Sequence, residues 1–206
     1  YYPAVNNVQE DYHNAIYFPA DTSGAPYPVL IFQPGANVNL EQYTWLFEHV
    51  CSYGYIVISF NELSGGMISR YNLQLLLMSF NLYLANPTTM AVLEFLNNVN
   101  STLMYPNNYL LGGMIDTSRF AIGGHSYGGA IASFCGNKSF YQDEGNLKAI
   151  FTYGVHTFDE TTDPPTLWDT MVDVPLLMMG GTEDHIGDGK DTEGVERTGA
   201  ERIKIT

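Results

Sequence analysis

The stretch Phe120-Ala121-Ile122-Gly123-Gly124-His125-Ser126-Tyr127-Gly128-Gly129-Ala130 leaves the backbone of this chain the fewest options. An apolar triplet leads into it, as a buried strand does. Four of the seven residues from Gly123 to Gly129 are glycine, as a turn too tight for any flanking Cβ requires. The small-residue run from Gly128 to Cys135 then reads as a helix that follows the strand directly. A strand turning that sharply into a close-packed helix is the repeating unit of a parallel α/β sheet.

The rest of the sequence repeats the alternation of short apolar runs and longer amphipathic stretches. Strands are expected at Ala15–Phe18, Val29–Phe32, Tyr55–Phe60, Phe120–Ile122, Ala149–Tyr153 and Val174–Met179. Asp21 to Gly24 reads as a turn after the first of these. Asn39, with Gln42 three residues on, predicts a capping box. The helix behind it places Tyr43, Phe47, Val50 and Cys51 on one face and ends at Gly54. Two further helices are expected, over Met67–Leu84 with a Leu/Met-rich stripe and over Thr88–Leu103. The first of them reads as core-facing, with a greasy wall beside a pocket for an apolar substrate as the sharper alternative. The expected fold is a doubly wound, mostly parallel sheet with helices on both faces, in a single domain over residues 1–206.

Charge narrows the choice of partner. Eight Lys and Arg stand against 22 Asp and Glu, a formal charge of −14. Nucleic acid and anionic membrane surfaces demand a basic patch, so neither is an expected partner. No apolar run is long enough to span a membrane. Two cysteines, Cys51 and Cys135, exclude a disulfide scaffold and every multi-Cys metal framework; lying on helices on opposite sides of the sheet, they are expected as buried free thiols. A secreted setting is expected from the acidity, the start at Tyr1 and two sequons, Asn100-Ser101-Thr102 and Asn137-Lys138-Ser139.

Residues 124–128 spell Gly-x-Ser-x-Gly, and the flanking strand and helix supply the context that a nucleophile elbow requires. In such a turn strain lifts the Ser126 hydroxyl above the sheet, and the N-terminus of the next helix faces the developing oxyanion. An ordinary Gly-rich strand-to-helix turn is the bland alternative. A serine nucleophile needs a base and an acid to orient it. After the strand at 174–179 a loop carries Glu183, Asp184 and Asp188, all of them candidate acids.

Three segments resemble the α/β-hydrolase family: Tyr27-Pro28-Val29-Leu30-Ile31-Phe32-Gln33-Pro34-Gly35, Gly124-His125-Ser126-Tyr127-Gly128-Gly129, and Val174-Pro175-Leu176 through Asp184-His185-Ile186. Within that family the chain is most similar to cutinase-like polyester hydrolases, chlorophyllases and platelet-activating-factor acetylhydrolases. The resemblance implies Ser126 as nucleophile and Asp184 as the orienting acid. The amides of Ala36 and Tyr127 then form the oxyanion hole, and His125, the elbow's variable residue, packs beside the Ser; His156, which follows the strand at 149–153, is expected at the rim of the substrate pocket. The resemblance implies a serine carboxylic ester hydrolase with no cofactor and no metal; the aromatic-rich composition, with 15 Tyr and 11 Phe, and the Leu/Met-rich helix point to apolar, lipid-like or polymeric esters as substrates.

The family pattern also places a catalytic His after the acid, where this sequence has only His185. A chain continuing past Thr206, with the base and a last strand and helix, is therefore expected; His156 as substitute base and a protein that lost its base are the alternatives. A non-catalytic binding protein and a peptidase or acyltransferase on the same scaffold are the competing functions. Asp184, Asp188, Asp191 and Glu193 offer oxygen ligands suited to Ca²⁺, but Lys190 breaks the EF-hand pattern, and a solvated acidic loop is the expectation.

Overall fold

The structure is a computed structural model that describes residues 14–35, 38–60, 96, 111–136, 146–155, 158–159, 163–164, 166–167, 174–183, 188–198 and 201. Its strands are β1 (Asn14–Tyr17), β2 (Tyr27–Gln33), β3 (Ile56–Phe60), β4 (Ile115–His125), β5 (Leu147–Tyr153), β6 (Phe158–Asp159), β7 (Thr166–Leu167), β8 (Leu176–Met179), β9 (Gly189–Lys190) and β10 (Glu196–Arg197). The helices are α1 (Thr44–Ser52), entered through a 3₁₀ turn at Leu40–Tyr43, and α2 (Tyr127–Gly136).

Six of these strands form one sheet in the order β1-β3-β2-β4-β5-β8. β1 runs antiparallel to β3, and every other neighbouring pair is parallel. β6–β7 and β9–β10 are separate antiparallel ribbons. The chain is thus a mostly parallel α/β sheet.

β2 explains the layering. Its residues alternate between two cores, as a strand buried on both faces must. Val29 and Ile31 join Ile56, Ile58, Ile122 and Ile150 on one face, where α2 lays down Tyr127, Ile131, Ala132 and Cys135. Leu30 and Phe32 join Val57 on the other, under Leu40, Tyr43 and Phe47 of the α1 segment. The helices therefore cover opposite faces. Two crossovers of the same hand require this, because β2–α1–β3 steps one way along the sheet and β4–α2–β5 the other.

The faces differ in chemistry. The α2 face is mainly aliphatic, whereas the α1 face is a ring cluster. Phe47 has no exposed surface and meets Phe32 at 5.3 Å, Tyr17 at 5.2 Å and Tyr43 at 6.1 Å between ring centroids. Cys135 is buried on the α2 face and Cys51 half-buried on the α1 face, and no disulfide joins them. Burial pushes the Cys51 thiol up to about 11.

Two sequence expectations change here. The capping box does not form: Asn39 holds the cap position with no side-chain bond to the turn. The Gln42 N–H that its side chain would take already donates to the Asn39 carbonyl at 3.0 Å, because the first turn is 3₁₀. β4 begins earlier than the expected Phe120. Between Tyr27↔Ile115 and Val29↔Phe120, β2 advances two residues and β4 five, so Asp116–Arg119 bulge out of the ladder. The Asp116 carboxylate holds that bulge, accepting from the Ser118 N–H at 3.0 Å and pairing with Arg119.

The expected helix at 67–84 lies outside the described residues. Of the one at 88–103 only Leu96 is described, helical and buried in the α2-face core. Among the described residues no helix is long and apolar enough to cross a membrane.

Removing the central ring should show where the stability lies. Phe47→Ala is expected to lower the unfolding free energy by about 3–5 kcal/mol. Trp45→Ala, on the same helix but 65% exposed, should change it by less than about 0.5 kcal/mol. Urea denaturation of the two variants checks the contrast.

Candidate active site

From β2 the chain steps to β3 on one side, whereas β4 lies on the other side and leads on to β5. Between β2 and β4 the connections diverge, and such a switch point leaves a crevice at the carboxyl ends of the strands. Ser126 stands at that point, between His125, which ends β4, and Tyr127, which opens α2.

Ser126 has φ +49°, the one positive φ outside glycine among the described residues. A left-handed non-glycine residue costs about 1–3 kcal/mol and persists only where its surroundings fix it. Here both sides of the residue are tied down. Its N–H donates to the Tyr153 carbonyl at 3.0 Å, and its carbonyl accepts the Ala130 N–H at 3.0 Å, the first turn of α2.

Two glycines make the turn sterically possible. A Cβ on Gly128 would collide with the carbonyl oxygens of Gln33 and Pro34, at the end of β2. A Cβ on Gly124 would collide with the backbone of Gly128 and Gly129. The start of α2 therefore rests directly on the backbone of two strands. At this end of a helix the first N–H groups have no carbonyl of a preceding turn to donate to, and the positive end of the dipole adds to their attraction for an anion.

The wall beside Ser126 is aromatic. The His125 ring stacks on Tyr153 with centroids 4.4 Å apart and planes 24° from parallel. Its Nδ1 lies 2.8 Å from the hydroxyl of Tyr43, which also accepts the Gly35 N–H at 2.9 Å. Burial raises the Tyr43 phenol, and burial with Tyr43 close by pushes the Tyr153 phenol up to about 12, so both stay protonated at neutral pH. The sheet register continues the row from His125 to Tyr153 and on to Met179, with Phe151 and Leu177 in the next row inward. Leu177 is 57% and Met179 45% exposed, so the β8 end of these rows is open and apolar.

Of the residues singled out in the sequence, Ser126, Tyr127 and His125 come together at the β4–α2 junction. Ala36, Asp184 and His156 lie outside the described residues. Glu183, a rival to Asp184, is exposed in the turn beyond β8. His49 is exposed on α1, edge-on to Tyr53. Asp191 belongs to the β9–β10 ribbon. Its carboxylate accepts the N–H groups of Val195 (2.9 Å) and Glu193 (2.8 Å) and pairs with Arg197 at 2.9 Å, which holds its carboxyl below the ordinary value. Those bonds give it a structural task. Among the described residues no group of three or more His, Cys, Asp or Glu is gathered to hold a metal.

Sequence reasoning missed Tyr43 and Tyr153 as parts of this site. Tyr43 reads as one more apolar position of a helix face, and nothing local marks its hydroxyl as a partner for a residue 82 positions away. Set against known families and curated proteins, the chain matches no family model and no curated protein.

Gly128 offers a test in which the sign is informative. Gly→Ala in a helix ordinarily stabilises by up to about 1 kcal/mol. Gly128→Ala should instead destabilise by about 3 kcal/mol or more, because two backbone carbonyls have to move. Denaturant unfolding decides between the two signs.

Proposed function

We propose that this chain is a serine carboxylic ester hydrolase of the α/β-hydrolase type, acting on apolar, lipid-like or polymeric esters through an acyl-enzyme on Ser126. The observation that carries the reading is the strained Ser126 at the switch point, held at φ +49° between β4 and the N-terminus of α2. A tight strand-to-helix turn that costs free energy and places a hydroxyl at the mouth of the crevice suits a nucleophile elbow. The half-open strip of Tyr153, Leu177 and Met179 supports an apolar substrate.

In this reading the Ser126 Oγ attacks the ester carbonyl carbon while a histidine base takes its proton and Asp184 orients that histidine. The amides of Tyr127 and Ala36 hold the tetrahedral oxyanion, as donors fixed before the charge develops. The alcohol leaves with the proton. Water, deprotonated by the same base, attacks the acyl-enzyme, and release of the acid restores the Ser126 hydroxyl. The reaction uses no cofactor. Ring contacts hold His125 against Tyr43 and Tyr153; in this reading it lines the pocket and the base is another histidine, since the family pattern places the base after the acid.

The test is turnover of p-nitrophenyl esters of increasing acyl length by the natural protein. Wild type is expected to hydrolyse them with a preference for apolar chains, and Ser126→Ala to lose about a thousandfold or more in kcat. Equal rates in the two proteins would overturn the reading. Faster cleavage of the matching anilides would replace esterase by peptidase.

A further inference from the structure

We infer that Tyr43 is a positioning residue of the site: its buried hydroxyl bridges Gly35, in the turn after β2, to the ring of His125 beside Ser126, and so fixes the distance between the walls that hold the oxyanion. The oxyanion part of this inference rests on the esterase reading, whereas the bridge itself rests on geometry alone. Tyr43 is only 2% exposed, and its oxygen lies 2.9 Å from the Gly35 nitrogen and 2.8 Å from His125 Nδ1.

The direction of each bond follows from who owns a hydrogen. The Gly35 N–H can only donate, so the phenol oxygen accepts from it. That oxygen has a second lone pair, but Nδ1 is the one other group within hydrogen-bond distance of this buried hydroxyl among the described residues, so the phenol's single hydrogen goes to Nδ1. That assigns neutral His125 the tautomer with its proton on Nε2. Without the hydroxyl, the buried Gly35 N–H and a nitrogen of the part-buried imidazole would each lose this partner.

The bridge spans the two sides of the switch point. Gly35 follows β2 and directly precedes Ala36, and His125 directly precedes Ser126. The turn comes so close to the imidazole that a Cβ on Gly35 would lie 2.7 Å from Nδ1. Tyr43 itself is clamped from behind by Phe32, at 5.0 Å, and by Phe47. A bridge mounted on the ring cluster carries the rigidity of the α1-face core to the strand ends.

The experiment compares whole wild-type protein with Tyr43→Phe, which keeps the ring, and with Tyr17→Phe as control. The Tyr17 hydroxyl contacts Thr44 at 3.3 Å in the same cluster, away from Gly35. Two readouts are taken: the ¹⁵N shifts of the His125 ring, and kcat and KM on a p-nitrophenyl ester. Wild type should show an acceptor-type Nδ1 and a protonated Nε2, a preference lost in Tyr43→Phe. Turnover should fall about tenfold to a hundredfold in kcat with KM nearly unchanged, since the loss is one of alignment, and Tyr17→Phe should match wild type. Neutral wild-type His125 protonated on Nδ1 would overturn the bridge, and that result is available even if Tyr43→Phe fails to fold. A folded Tyr43→Phe with wild-type kcat would overturn the positioning role. Absence of ester turnover from wild type would count against the esterase reading, and the ring-nitrogen result would still decide the bridge.

Discussion

The structure depends on a contact without side chains. The first turn of α2 lies against the carbonyls of Gln33 and Pro34 and against the Gly124 backbone, which only glycine at 124 and 128 permits. That contact sets how close α2 sits to β2 and β4, and so which aliphatic residues fill the layer between them. It also forces the chain to reverse within one residue. Ser126 takes the left-handed backbone as a result, and the bonds to Tyr153 and Ala130 hold it there. Close packing and local strain are thus one feature seen from two sides.

The other face of the sheet supports the same point differently. There the packing is by rings, and the cluster around Phe47 runs without a break through Tyr43 to His125 and Tyr153. Aromatic rings are stiff and bury large areas with few torsions. The wall of the crevice is therefore an extension of the core rather than a loop laid over it. This fits a site whose groups must be in place before charge develops.

Much of this was legible in the sequence. The run Val29–Phe32 marks a strand buried on both faces, and the glycines around Ser126 mark the tight turn; both patterns are local and survive tertiary context. What stayed hidden is non-local or pre-empted. The start of β4 is disguised because Asp116–Arg119 bulge out of the ladder and carry polar side chains. The capping pattern at Asn39 is genuine in sequence, but a 3₁₀ turn had already used the N–H it needed. The link between Tyr43 and His125 depends on α1 crossing back over the sheet, which no window of sequence reveals.

If the strained turn presents an activated serine, covalent capture will find it. The natural protein would be treated at neutral pH with excess fluorophosphonate, and the intact mass and peptide map read out. One adduct per chain is expected, located on Ser126 and absent from a folded Ser126→Ala variant. A folded wild-type protein that takes up no adduct would contradict it, and would leave a strained turn that serves packing alone.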